Sequence, residues 1–169
     1  MARVNEIRYV GYGVTNIEAE KKFYTDAWQL IAVPSDDGMV YLAAPGSSAA
    51  YSVRLRPSAE PRIDVISWSA ADRSEVDALA QQVEQAGGKI ISQPHEMSEL
   101  GGGYGFRFFD PIGFTIEVCT GFETRIADTI QPGEPRPEQI SHVVLHAPNP
   151  QEYVEFYEKA LGFRVSDWL

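Results

Sequence analysis

Residues 7–27 read IRYVGYGVTNIEAEKKFYTDA, and residues 140–160 read ISHVVLHAPNPQEYVEFYEKA. At a constant shift of 133 the two stretches share six identities: Ile7/Ile140, Val10/Val143, Asn16/Asn149, Phe23/Phe156, Tyr24/Tyr157 and Ala27/Ala160. Each copy spells a strand, an Asn positioned to cap, and a helix whose apolar residues recur at helical spacing. A repeat of this length is the first fact about the fold. The second copy reaches Leu169 without the strands that follow the first, so the chain reads as the N-terminal piece of a larger repeat protein.

Working outward from the first copy, Leu30–Val33, Met39–Ala44 and Tyr51–Arg56 read as strands, separated by Pro34, Asp36-Asp37-Gly38 and Pro45-Gly46-Ser47-Ser48. The order is β-α-β-β-β. It then restarts. Ile63–Trp68 reads as a strand, and Asp72 with Glu75 as a capping box. Val76, Leu79, Ala80 and Val83 form a helical stripe closed by Gly87-Gly88. Lys89–Ser92 is the next strand and Pro94–Gly103 a loop; Tyr104–Phe109 and Phe114–Val118 flank the Asp110-Pro111-Ile112-Gly113 turn as a hairpin. Residues 122–137 carry Pro132, Pro135 and Pro137 and read as a linker, helical over Thr124–Ile130. A third unit follows: a strand at Ile140–Ala147, a helix at Gln151–Leu161 capped by Gly162, and the start of a strand at Phe163–Trp168. The expected fold class is α+β, with residues 1–121 forming one domain of two βαβββ units and residues 138–169 beginning a second.

Composition narrows the function. The net charge is −10, and no basic patch with interleaved aromatics suggests nucleic acid. No apolar run approaches the roughly 20 residues that span a bilayer, and MARVNEIRYV lacks the apolar core of a signal peptide. The single cysteine, Cys119, cannot form an internal disulfide and reads as a small strand residue; a cytoplasmic setting is expected. Gly101-Gly102-Gly103 precedes no helix and so reads as a hairpin approach rather than a phosphate cradle. His95 reads as a surface residue, and Tyr104, Phe106, Phe108 and Phe109 as mainly core.

The doubled βαβββ unit, opened by the repeat and closed by Phe109-Asp110-Pro111-Ile112-Gly113-Phe114-Thr115-Ile116-Glu117-Val118, resembles the vicinal oxygen chelate superfamily. That group includes glyoxalase I, the bleomycin and fosfomycin resistance proteins, and the extradiol dioxygenases. The resemblance implies paired units making a curved, cupped mixed sheet. Two full units, a linker and a third unit resemble most the N-terminal part of a two-domain type I extradiol dioxygenase. In those enzymes the first domain is metal-free and the second holds Fe(II) through two His and one Glu.

Carried over residue by residue, the metal positions of the superfamily fall on Tyr9, Arg54, Val65 and Glu117 in the first two units and on His142 in the third. Arg54 would repel a cation, so a metal-free first domain is expected. Glu117 is then a vestigial metal position, a carboxylate satisfied by a neighbour such as Arg54. His142 becomes the first metal ligand of the parent protein, with the others absent from this chain. His146, four residues on, would share its strand face and border a substrate cavity. No catalytic residue is assigned within the chain and no metal is expected bound to it. The resemblance implies Fe(II)-dependent cleavage of a catechol-like aromatic diol with O2 by the parent, as a homo-oligomer. Two other readings stay open: a non-redox small-molecule binding protein, with a cup lined by Tyr9, Tyr12, Trp68 or Tyr104, and a glyoxalase-like lyase or isomerase.

Overall fold

The computed structural model describes residues 1–167. Its strands are β1 (Ile7–Val14), β2 (Ile31–Val33), β3 (Val40–Ala43), β4 (Val53–Pro57), β5 (Arg62–Ser69), β6 (Lys89–Glu96), β7 (Tyr104–Phe109) and β8 (Thr115–Thr120). Its helices are α1 (Ile17–Asp26), α2 (Arg73–Gln85) and α3 (Pro150–Leu161). The strands form one eight-stranded sheet in the order β2-β3-β4-β1-β5-β8-β7-β6. The first strand of each unit stands at the centre, β1 antiparallel to β5, and each pairs in parallel with the last strand of its own unit. The two halves are therefore arranged alike about the β1–β5 seam, the mixed sheet of the vicinal oxygen chelate fold.

Local chemistry sets the helix ends. The Asn16 side chain accepts from the Ala19 amide (3.1 Å), and Asp72 accepts from the Glu75 amide (2.9 Å), each satisfying a free donor of the first turn. Glu75 in turn accepts from the Ala71 amide (3.1 Å). α3 ends at Gly162 in the left-handed conformation, with the Phe163 amide bonding back to the Tyr157 carbonyl.

Two apolar layers lie on the helix-bearing face. Under α1, Val14, Leu30, Leu42, Ala44, Val53 and Leu55 pack with Ile17 and Tyr24. Under α2, Ile66, Phe106, Phe108, Ile116 and Val118 pack with Val76, Leu79, Ala80 and Val83, and this layer also takes in Phe156, Tyr157, Ala160 and Leu161 of α3. The third-unit helix thus docks on α2. A separate cluster without helix residues, Tyr9, Tyr41, Tyr51 and Val65, marks the opposite face.

Three expectations change. Residues 140–147 form no ladder. The alternation is present, with Val143, Leu145 and Ala147 half-buried and His142, Val144 and His146 exposed, but β1 and β5 are already paired on both sides and offer no edge. Residues 124–130 are not helical. Thr124 bridges Ala49, and the Arg125 guanidinium donates to the carbonyls of Ala44, Pro45 and Ser47, which holds the segment extended along the β3–β4 connection. Residues 163–167 form no strand; Trp168, the expected end of that strand, lies outside the described residues. In addition, β6 runs to Glu96, so His95 sits exposed on an edge strand opposite Gly105 rather than in a loop.

Candidate functional site

The centre of the helix-free face is laid out by strand register. Tyr9 stands opposite Ser67, Ser67 opposite Glu117, and Glu117 opposite Arg107, one row across β1, β5, β8 and β7. A neighbouring row runs Tyr41, Arg54, Gly11, Val65 across β3, β4, β1 and β5. All four metal positions carried over from the superfamily in the first two units thus lie on two adjacent rows. Gly11 is needed there: a Cβ would stand 2.7 Å from Val65 Cγ1 and 3.3 Å from Arg54 Nε, so its absence leaves room for the guanidinium.

Glu117 is fully buried. Its Oε1 accepts from Ser67 Oγ (2.7 Å) and Arg8 Nη1 (3.4 Å), and its Oε2 from Arg107 Nε (2.8 Å) and Tyr9 OH (3.2 Å). Arg107 Nη2 adds a further contact at 2.7 Å and reaches Glu99 at 2.6 Å. A carboxylate has about four lone-pair directions, and these donors occupy them. Arg54 is not the partner expected from the sequence. It bonds Asp64 of β5 (Nη2–Oδ2, 2.8 Å), which Arg56 also grips, so the guanidinium is neutralised by a carboxylate two strands away across β1. Arg107 stands opposite Glu117 across the shorter β7–β8 turn and reaches it first.

The electrostatics follow. Burial, reinforced by the Glu117 charge, lifts the Tyr9 hydroxyl well above the ordinary tyrosine range, so it serves as a proton donor. Burial pushes Tyr51 up to about 12 and the Cys119 thiol up to about 11. Burial opposes ionisation of Asp64, but the Arg56 hydrogen bond and the Arg54 charge outweigh it and hold the carboxyl below its ordinary value. Four guanidiniums (Arg8, Arg54, Arg56 and Arg107) interleave with three carboxylates (Asp64, Glu99 and Glu117), and the phenols of Tyr9, Tyr41 and Tyr51 fill what space remains, the Tyr51 ring 4.7–4.8 Å from the other two. This is a closed polar core. A divalent cation does not fit it: Glu117 has no free lone pair and Arg8 and Arg107 stand where further ligands belong. Among the described residues no group of three or more His, Cys, Asp or Glu is arranged to hold a metal.

The remaining expected site residues lie elsewhere. His142 is exposed, its Nδ1 2.8 Å from Ser141 Oγ, and His146 is exposed on the same side of the extended segment. The structure does not bring either to Glu117. Of the aromatic cup, only Tyr9 is in the hollow: Tyr12 packs under α1, Trp68 against Phe163, and Tyr104 donates to Asp77. Sequence reasoning missed Arg8, Ser67 and Arg107. Arg107 was within reach of it, because the turn at 110–113 sets 107 against 117. Arg8 was not: it reaches the face of Tyr9 through a register shift between Ile7 and Tyr9 that no alternation rule foresees.

The profile of the Glyoxalase/Bleomycin resistance protein/Dioxygenase superfamily matches residues 6–118. The chain belongs to this superfamily. It is 47% identical to the Mn(II)-bound glyoxalase from Novosphingobium aromaticivorans, with a TM-score of 0.96, over all of this chain and 56% of that one. It is 23% identical to the manganese-dependent 2,3-dihydroxybiphenyl 1,2-dioxygenase of Geobacillus genomosp. 3, over 99% of this chain and 56% of the relative. It is 22% identical to the biphenyl-2,3-diol 1,2-dioxygenase of Paraburkholderia xenovorans, over 97% and 57%. The chain therefore spans about half the length of the relatives it matches. No helix among the described residues is long and apolar enough to cross a membrane.

Proposed function

We propose that this chain holds the metal-free first module, and the opening of the second, of a two-module metalloenzyme of the superfamily that acts with O2 on a catechol-like aromatic diol. The observation that carries this reading is the contrast between two equivalent positions. Tyr9 is sealed into the Glu117 cluster, whereas His142, at the matching place in the third unit, is held exposed on a segment anchored from its other side by Val143 and Leu145. On this reading His142 is the first ligand of Fe(II) or Mn(II) in the second module, and His146 borders the substrate. Imidazole with a second imidazole and a carboxylate suits either ion and leaves open positions. When bound, the metal supplies a Lewis-acid and redox centre. This chain's own residues do other work: Glu117 and its donors stiffen the first module, and α3 with residues 143–145 fixes where His142 stands.

The test is metal content and oxygen uptake in a protein carrying this chain followed by its second module. The expectation is one tightly bound Fe or Mn per chain, uptake of O2 with biphenyl-2,3-diol, and a coloured ring-fission product. His142→Ala should lose the metal, and Glu117→Gln should keep it. A His142→Ala protein with full metal content refutes the ligand assignment. The resemblance to a Mn(II)-bound glyoxalase favours a second reading, isomerisation of a thiol–aldehyde adduct; turnover of the glutathione adduct of methylglyoxal without O2 uptake would select it.

A further inference from the structure

We propose that the outer face of α1, carrying Phe23, Ala27 and Trp28, is the docking surface for one helix of α2's kind, supplied by a fourth βαβββ unit. The inference rests on the two-module reading above. It comes from α1 and α3 being copies whose surroundings differ. Their backbones begin alike, at Asn16 (φ −135°, ψ 90°) and Asn149 (φ −126°, ψ 88°). Beyond their last turns the equivalent positions Gln29 (φ 55°) and Gly162 (φ 71°) both take positive φ, although α1 itself stops at Asp26 with Ala27 still right-handed; Gln29 is the one non-glycine with positive φ among the described residues. Their outward faces match too, each with an ion pair four residues apart but with the charges reversed, Lys22–Asp26 in α1 and Glu155–Lys159 in α3.

The faces through Phe23 and Phe156 do not match. In α3, Phe156, Ala160 and Leu161 are 6%, 0% and 0% exposed in the layer formed with Val76, Leu79, Ala80 and Val83 of α2. In α1 the same positions are Phe23, Ala27 and Trp28, and Phe23 and Trp28 are 51% and 54% exposed. α1 meets the sheet through Ile17 and Tyr24 instead, so it carries a second apolar side that the described residues leave exposed. That side continues into a cleft of about 550 Å³ lined in part by Tyr24, Trp28, Leu30, Ile140 and Val144.

The α2–α3 contact states what the occupant must offer. It is a helix with a small aliphatic stripe, followed closely by a small residue: a Cβ on Gly88 would stand 2.5 Å from Val83 Cγ1 of α2 itself and 3.3 Å from the Phe156 ring. A second copy of this chain is a poor occupant, because its α2 stripe is already covered by its own α3.

The experiment is thiol labelling. Cys119, the chain's one cysteine, is buried and stays silent. Ala27→Cys and Lys22→Cys are made both in the 169-residue chain and in the two-module protein, and labelling at each position is read by peptide mass spectrometry. Position 27 should label freely in the short chain and at least about tenfold more slowly in the longer protein. Position 22, whose counterpart Glu155 is exposed in α3, should label equally in both. Adding Phe23→Asp should restore fast labelling at position 27. Equal rates at position 27 in the two proteins overturn the proposal. So does protection in the short chain alone that tracks a dimer in sedimentation, which assigns the face to a second copy. Metal content of the same samples separates the two readings: bound metal with an open position 27 sinks only the docking surface, and a protected position 27 without metal sinks only the metalloenzyme.

Discussion

Replacing Glu117 with Ala should unfold the chain more readily without touching any metal the longer protein holds. The side chain is fully buried, and it anchors Arg8, which is itself nearly buried, together with Arg107. Its removal leaves one guanidinium with no carboxylate and the other with only Glu99. Breaking a buried pair from one side costs about 3–5 kcal/mol, because the remaining charge stays desolvated. An exposed ion pair would give about 0–1 kcal/mol, so the two cases are well separated. For a domain of this size the loss corresponds to a fall of roughly 6–20 °C in Tm. Glu117→Gln keeps the shape and one acceptor oxygen and should fall between. Glu117→Leu with Arg107→Met removes that pair whole and should recover part of the loss, since an apolar pair of similar volume costs little there, while Arg8 stays unpaired and keeps the remainder of the loss. Thermal unfolding followed by circular dichroism reads all four proteins. A Glu117→Ala midpoint within a degree or so of the parent would refute the argument, and so would a midpoint fall no larger than that of Glu99→Ala.

Three further outcomes follow from neighbouring features. Asp64 has its carboxyl held low by Arg56 and Arg54 against the effect of burial, so its contribution is fully present above about pH 4 and is lost as pH falls through the folded-state value. Asp64→Asn should flatten that acid limb in urea unfolding measured from pH 6 down to pH 2, and an unchanged limb would remove the assignment. Asp110 accepts from the amides of Ile112, Gly113 and Phe114 and from the hydroxyls of Tyr153 and Tyr157. Asp110→Ala should cost about 2–4 kcal/mol and raise hydrogen exchange in α3 more than in α1; uniform exchange would show that α3 is not latched there. Cys119 is buried and its thiol is pushed up to about 11, so it should resist alkylation in the native protein and react on unfolding.

Much of this architecture was legible, and the parts that were not share a cause. Helix ends were readable because Asn16, Asp72 and Gly162 act within one turn of themselves. The two βαβββ units were readable because alternation and turn residues are local signals. Residues 140–147 have the alternation of a strand and keep its extended form, but a ladder needs a free edge, and where that edge lies is not written in the segment. The same holds for Glu117. Equivalence between units points to Arg54, while the hairpin register brings Arg107 into contact. Arg8 joins through a bulge, a departure from the period-two rule on which strand reading depends.

On the proposed reading, the equivalence of positions Tyr9 and His142 accounts for duplication and division of labour going together in such a chain. A strand position facing the centre of a cupped sheet can donate a proton to a buried carboxylate or offer a lone pair to a cation, and its neighbours decide which. Around Tyr9 the neighbours are Arg8, Arg54 and Arg107; Asp64 balances Arg54, and Glu117 is spent on the other two. A cation added to that cluster would have to displace a guanidinium and leave it buried, at the same cost of about 3–5 kcal/mol that removing Glu117 incurs. Among the described residues no guanidinium contact holds the His142 ring, and its bonded neighbour is the Ser141 hydroxyl, which a partner ligand can replace. On the proposed reading, rigidity and metal binding compete for one geometric position within a unit. Carrying two copies of that position lets one be closed with arginine while the other, anchored by Tyr153 and Tyr157 on Asp110, remains open to a metal.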